Sequence, residues 1–126
     1  MRSPASDCIL AVSFTIGLAL AIVLNAGPSY AGMESEIEHL LRAIETSGCR
    51  FQRNGNMHDA QQAGEHIRKK YAHAKHRITS SEDFIRYAAT RSSITGRPYQ
   101  VTCDGVEMPT AEWLMLVLAR FKEDTR

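Results

Sequence analysis

Two short stretches of the sequence decide the predicted fold: CRFQRNG at residues 49–55 and YQVTCDG at residues 99–105. In each stretch apolar and polar side chains alternate, which is typical of a half-buried strand. Each stretch then ends in a dipeptide, NG or DG, that favours a tight turn. We therefore expect two strands, at residues 49–53 and 99–103, that pair in a small two-stranded antiparallel sheet.

Four helices are predicted around these strands from capping signals and from the helical spacing of apolar residues. The first begins at a capping box at residues 35–38 and ends before Gly48, and the second runs from about Asp59 to His76. The third follows a capping box at residues 79–82, and the last begins at residues 109–110. The expected fold class is α+β, with about four helices and a two-stranded sheet.

The first 31 residues have the pattern of a secretory signal peptide. Arg2 supplies a positive start, residues 9–24 carry no charge, and Ser29 and Ala31 place small side chains at a cleavage site. The uncharged run is shorter than the roughly 20 residues that a transmembrane helix needs. We expect cleavage after Ala31, which leaves a single domain at residues 32–126 without a membrane span. An uncleaved N-terminal anchor is the alternative.

Cys49 and Cys103 are the two cysteines of the predicted mature chain. Oxidising compartments pair thiols, and small exported domains often depend on such links. Pairing of the two predicted strands also brings these residues together. We therefore expect one disulfide between them, with two free thiols as the alternative.

The charge of the chain is nearly balanced, with a formal net charge of +1 at pH 7. This argues against a dedicated nucleic-acid or membrane-surface binder. The charge is unevenly distributed, because residues 50–97 carry ten basic and four acidic side chains. The pattern predicts a basic central face for an anionic ligand or an acidic partner. Alternatively, acidic terminal helices pack beside this segment and cancel its field.

The histidines of the second helix raise the question of a metal site. His58, His66, His73 and His76 share one helix face, but the first two lie about 12 Å apart along the axis, too far to bind one ion together. The last two are close enough, yet no third ligand occurs at helical spacing. We expect no metal and no cofactor. Individual histidines remain candidates for ligand contacts or proton transfer.

Side chains suited to an anion concentrate at two turns and on the second helix. Guanidinium, amide, imidazole and hydroxyl groups, together with backbone amides, build sites for phosphate, sulfate or carboxylate. The candidate ligand-binding residues are Arg53, Asn54, His58, His66, Arg68, Ser92, Ser93, Thr95 and Tyr99. The alternative is that these residues cap helices, form turns and satisfy local backbone groups.

The sequence offers little support for an enzyme. A hydrolase would use Ser92 or Ser93 as its nucleophile and a histidine as its base. However, the chain has no Gly-x-Ser-x-Gly elbow, phosphate-binding P-loop, dinucleotide fingerprint or His-Glu-x-x-His motif. No catalytic residue is therefore assigned.

An ordered series of residues resembles a known family. The series consists of RNG at 53–55, His58, HIRKK at 66–70, EDFI at 82–85 and SSITGRPY at 92–99. It is similar to the YfeK-like family of small exported bacterial proteins of unknown function, and the match spans about residues 34–121. The resemblance implies export in a Gram-negative-type bacterium and brings no established activity, substrate or cofactor. The two cysteines lie outside the shared pattern, which implies a structural role for their disulfide.

These observations favour a small periplasmic binding or interaction module. Its ligand would be an unknown anionic compound, an envelope component or a protein partner, for example of the inhibitor or immunity type. One alternative is a small periplasmic hydrolase that uses His58 or His66 as general base. Another is a structural envelope protein without a ligand.

Overall fold

The computed structural model describes residues 30–126 and has four helices and four strands in that range. Residues 1–29, which hold most of the predicted signal peptide, lie outside the described residues. In chain order the elements are α1 (Tyr30–Thr46), β1 (Arg50–Arg53), β2 (Asn56–His58), α2 (Ala60–Ala74), a 3₁₀ turn (Lys75–Arg77), α3 (Ser81–Ala88), β3 (Gln100–Cys103), β4 (Val106–Pro109) and α4 (Thr110–Asp124). The predicted α+β class is confirmed.

The sheet has four antiparallel strands in the order β2-β1-β3-β4, so the prediction of two strands is wrong. The two predicted strands form its central pair, and each turn dipeptide leads into a further strand. Asn54 and Gly55 have φ angles of 52° and 79°, and Asp104 and Gly105 have φ angles of 50° and 77°. Two successive positive φ angles are typical of the type I′ turn, whose twist matches that of the flanking strands. Each turn therefore closes a hairpin and adds an edge strand.

The register of the central pair explains the disulfide. Phe51 of β1 lies opposite Val101 of β3, and continuing the register by two residues brings Cys49 opposite Cys103. These two cysteines are bonded, with a Cα–Cα distance of 4.7 Å, and the predicted disulfide is confirmed. The bond joins the two hairpins at one end of their shared strand pair.

The core lies between the helices and one face of the sheet. Phe51 and Val101 project from that face and are buried, whereas Arg50, on the opposite face, is exposed. Helix α1 supplies an apolar stripe at the predicted i, i+3, i+4 and i+7 positions, each residue at most 1% exposed: Ile37, Leu40, Leu41 and Ile44. Burying each such side chain contributes roughly 1.5–3 kcal/mol. Helices α3 and α4 add Phe84 and Leu114, both fully buried.

Helix α1 begins earlier than its capping signal predicts. Ser35 lies inside the helix and is exposed, so the proposed capping box does not mark the helix start. Met33, one turn before Ile37, is partly buried against the core. This contact extends the apolar stripe in the N-terminal direction, and tertiary packing outweighs the local capping signal.

The boundaries of α2 and α3 also differ slightly from the predictions. The predicted α2 runs from about Asp59 to His76, whereas the α-helix begins at Ala60, with Asp59 as its N-cap, and ends at Ala74, so that His76 lies in a 3₁₀ turn. At α3 the N-cap is Ser80 rather than Thr79, because the Ser80 hydroxyl accepts the backbone N–H of Asp83 at 3.0 Å. The predicted start of α4 at Thr110, directly after Pro109, is confirmed.

Candidate functional site

The site forms where the end of β1 meets the start of β3. Arg53 follows Phe51 by two residues and Tyr99 precedes Val101 by two, so both project towards the helices. Continuing the register of the two strands places Arg53 opposite Tyr99. Tyr99 is 5% exposed. Strand pairing therefore brings together two candidates that lie 46 positions apart in the sequence.

His66 of α2 lies against both of these residues. One guanidinium nitrogen of Arg53 contacts Nδ1 of the His66 ring, and Nε2 of the same ring lies 3.1 Å from the Tyr99 hydroxyl. Arginine offers only donors, so Nδ1 accepts and the ring proton lies on Nε2, which donates to Tyr99. Burial, followed by the charges of Arg53 and Lys70, lowers the pKa of the imidazole from 6.5 to about 4. The ring is therefore neutral near pH 7.

Lys70 completes the cluster from the next turn of α2. Its Nζ donates to the Tyr99 hydroxyl at 3.1 Å and to the backbone oxygen of Arg91 at 2.6 Å. Burial, and then the charge of Arg53, lowers the pKa of Lys70. Burial likewise raises the pKa of Tyr99. The phenol oxygen thus receives hydrogen bonds from both His66 and Lys70.

No acidic side chain of the described residues pairs with the cations of this cluster. Among residues 30–126, neither Arg53 nor Lys70 forms an ion pair with a carboxylate. Lys70 is half-buried, and Arg53 is partly buried beside it. Partly buried cations without an acidic partner are unusual, because both burial and mutual repulsion disfavour the charged forms.

A small cavity of about 20 Å³ opens beside the cluster, enough for one water-sized polar group. Its wall includes Phe51, Arg53, His58, Gln62, Ala63, His66, Ile67, Tyr99 and Thr110. The Thr110 side chain is 0% exposed, and its hydroxyl has no hydrogen-bond partner among the described residues. A buried hydroxyl without a partner costs roughly 1–3 kcal/mol. Thr110 therefore lines the cavity as a buried residue whose hydroxyl is unpaired within the described part of the chain.

Three other candidates form a separate network next to this cavity. The Asn54 amide donates to the Ser92 hydroxyl at 3.3 Å and accepts from the Thr95 hydroxyl at 2.6 Å. The Ser92 hydroxyl also accepts the backbone N–H groups of Ile94 and Thr95. These contacts bind the loop between α3 and β3 to the β1–β2 turn. The polar side chains of Asn54, Ser92 and Thr95 thus hydrogen-bond to one another across the two segments.

The remaining candidates lie at different places. His58 lies on β2 and not on the helix face where it was predicted, and it lines the cavity, whereas Ser93 is exposed on the loop. Arg68 projects towards α1, where its guanidinium contacts Glu38 at 2.9 Å and Glu45 at 2.6 Å. Arg68 is the main cause of the lowered pKa of Glu38. The structure therefore separates Arg68 from the Arg53 cluster.

Helix geometry could have made this distinction from the sequence. Positions 66 and 68 are two apart and point in nearly opposite directions, whereas His66 and Lys70, at i and i+4, share a face. Lys70 is thus the site residue that the candidate set omitted despite an available signal. Thr110 had no such signal, because it reaches the cavity through tertiary packing alone.

Two features are absent from residues 30–126, a cluster of metal ligands and a membrane-spanning helix. No cluster of three or more histidine, cysteine, aspartate or glutamate side chains is arranged to hold a metal ion there. No helix in that range is long and apolar enough to cross a membrane.

Comparison with known proteins identifies the family of this chain and gives no activity for it. A curated relative, the uncharacterized protein YfeK of Salmonella typhimurium, is 35% identical over 86 residues, which cover 64% of this chain and 72% of the relative. No solved structure matches the chain. The model of a family of unknown function, DUF5329, matches residues 31–122. This match covers most of the chain, which therefore belongs to the DUF5329 family.

Proposed function

We propose that this protein is a small periplasmic binding module that recognises an anionic group at the cluster of Arg53, His66, Lys70 and Tyr99. The group would be a phosphate, sulfate or carboxylate on a small ligand, an envelope component or a protein partner. The proposed location rests on the signal peptide predicted at residues 1–31.

The observation that carries the proposal is the position of Arg53 and Lys70 beside His66 and Tyr99, with no carboxylate paired to either cation among residues 30–126. An anion at the mouth of the cavity would offset the repulsion between these cations. It would also receive charge-assisted hydrogen bonds, which are stronger than those between neutral groups. The neutral His66 ring donates to the same phenol oxygen and adds no charge of its own.

A hydrolase based on His66 is the second candidate, because its ring lies within hydrogen-bond distance of the Tyr99 hydroxyl. The proton arrangement argues against it. The lone pair of His66 faces Arg53, and the nitrogen that faces Tyr99 carries the proton. In this arrangement His66 donates to Tyr99 and does not remove its proton.

The serine nucleophiles are weaker candidates still. The Ser92 hydroxyl contacts Asn54 and loop amides rather than a histidine.

¹⁵N spectra of the His66 imidazole test whether His66 can act as a base. A proton on Nε2 near pH 7 agrees with the binding module, in which His66 donates to Tyr99. A proton on Nδ1 would restore His66 as a candidate base.

Binding can be measured by titrating the purified, folded protein with inorganic phosphate and with sulfate. We expect Arg53→Ala to weaken the binding about 10- to 100-fold, the cost of one charge-assisted hydrogen bond. Arg50→Ala is the matched control, because Arg50 lies on the same strand but on the opposite, exposed face. Arg68→Ala should also retain binding. Equal affinity of Arg53→Ala and wild type, or no binding by wild type, would refute the site.

A further inference from the structure

A second basic groove lies on the far side of Lys70. It has a volume of about 380 Å³ and runs between the end of α2, the 3₁₀ turn, α3 and the loop before β3. Its lining residues are Lys70, His73, Ala74, His76, Arg77, Tyr87 and Ser93. Lys70 belongs both to this groove and to the cluster around Tyr99.

The lining of the groove contains basic side chains and no acidic one. Among residues 30–126, neither Lys70 nor Arg77 forms an ion pair with a carboxylate. The Arg77 guanidinium instead lies over the Tyr87 ring, 4.3 Å from its centroid. Stacking on an aromatic ring orients the guanidinium and leaves its charge available to a ligand.

The contacts of Lys70 explain how the two basic regions connect. Its ammonium group is held by the Tyr99 hydroxyl and by the backbone oxygen of Arg91. Neither partner carries a full negative charge at neutral pH. Lys70 therefore lies between the two regions, and its charge contributes to the field of both.

From this arrangement we infer that the ligand is a polyanion with at least two closely spaced phosphate or sulfate groups. One group occupies the Arg53 cluster, and the next occupies the groove beside Arg77. The inference rests on the proposed function and adds the chemical class of the ligand. A ligand that engages both regions gains affinity over a single anion because its second contact is intramolecular.

Such a ligand has two sources with the same chemistry, a soluble polyphosphate and a lipid headgroup that carries several phosphates. Ile94, at the tip of the loop that borders the groove, is 93% exposed. An apolar side chain at this position would add contact with a lipid surface and none with a soluble polyanion. Its substitution therefore distinguishes the two sources.

The test compares orthophosphate with tripolyphosphate in calorimetric titrations of the folded protein. We expect tripolyphosphate to bind about tenfold or more tightly than orthophosphate. Arg77→Ala should remove this preference while leaving orthophosphate affinity within about twofold. Arg86→Ala is the matched control, because Arg86 stacks on the same ring but pairs with Asp83 and lies outside the groove lining.

A vesicle arm identifies the source. Phosphatidylcholine vesicles with and without a lipid that carries a multiply phosphorylated headgroup are tested against wild type, Arg77→Ala and Ile94→Ser. Binding that needs this lipid and weakens in both variants supports the inference with a lipid source. Tripolyphosphate binding that weakens in Arg77→Ala, together with no binding of wild type to either vesicle, supports it with a soluble source.

The inference is overturned if Arg77→Ala retains the full preference for tripolyphosphate, or if wild type shows no preference and binds neither vesicle. If either result is obtained but orthophosphate still binds in an Arg53-dependent way, the proposed function survives without the groove. If none of the probes binds, both proposals fail together.

Discussion

Reduction of the disulfide should lower the stability of the protein substantially. Cys49 and Cys103 are separated by 54 positions in the sequence, and their bond closes a loop of that length. In the chain-entropy model, the closure removes denatured-state freedom equivalent to about 4 kcal/mol at 25 °C. Since small domains have total stabilities of about 5–15 kcal/mol, the reduced protein should remain folded with a much smaller margin.

Urea denaturation with and without reductant measures this loss. With a typical slope of about 1–3 kcal/mol per molar urea, a loss of about 4 kcal/mol lowers the midpoint by roughly 1.3–4 M. Reduced wild type is the better test than a substituted protein, because Cys49 is buried and its replacement would also change the packing.

The double variant Cys49→Ala, Cys103→Ala serves as the control, since reductant should not alter its transition. A loss below about 1 kcal/mol on reduction of wild type would refute the loop-closure argument. It would show that the reduced denatured chain is already compact, or that the bond strains the native state by a similar amount.

Three further predictions concern pH, an ion-pair network and export. The pKa of His66, about 4 when folded and near 6.5 when unfolded, means that the unfolded chain binds its proton first. The free energy of unfolding should therefore fall as the pH drops from about 6.5 towards 4. In urea titrations at several pH values, His66→Gln should make this fall with pH less steep. An unchanged pH dependence in the variant would contradict the lowered pKa of His66. Arg68→Ala should lower the free energy of unfolding by about 1 kcal/mol, because the partly exposed Arg68 guanidinium bridges two carboxylates of α1. Arg42→Ala, which removes a single exposed ion pair, should lower it by at most about 0.5 kcal/mol. Equal losses in the two variants would argue against the bridge. N-terminal sequencing of the protein from the cell envelope should start at Gly32, and an intact leader there would favour the anchored alternative.

The fold was predictable where burial and turn formation produce a recognisable local pattern in the sequence. The central strands alternate because Phe51 and Val101 face the core. The edge strands β2 and β4 are short and largely exposed, so their alternation is weak. Their existence was nevertheless implied by the NG and DG dipeptides, which favour hairpins that return directly into a paired strand.

The candidate site was predictable only in part, because residue type does not determine which neighbour a side chain meets. Arg53, His66 and Tyr99 were candidates for their chemistry, and the structure brings them into contact. Arg68 has the same chemistry as Arg53 but points to α1. The hydroxyl groups of the loop before β3 and the Asn54 amide could equally bind a ligand or one another, and in the structure they hydrogen-bond to one another.

The sequence by itself determined the family, the α+β class, the pairing of Cys49 with Cys103 and the basic character of the middle of the chain. These properties follow from composition, short-range pattern and an unambiguous partner for each cysteine. Only the tertiary structure decided which basic side chains share a site. Strand register sets Arg53 against Tyr99, and the rotation of α2 turns His66 and Lys70 towards them and Arg68 away. Such contacts arise between segments distant in sequence, where local periodicity carries no information about the partner.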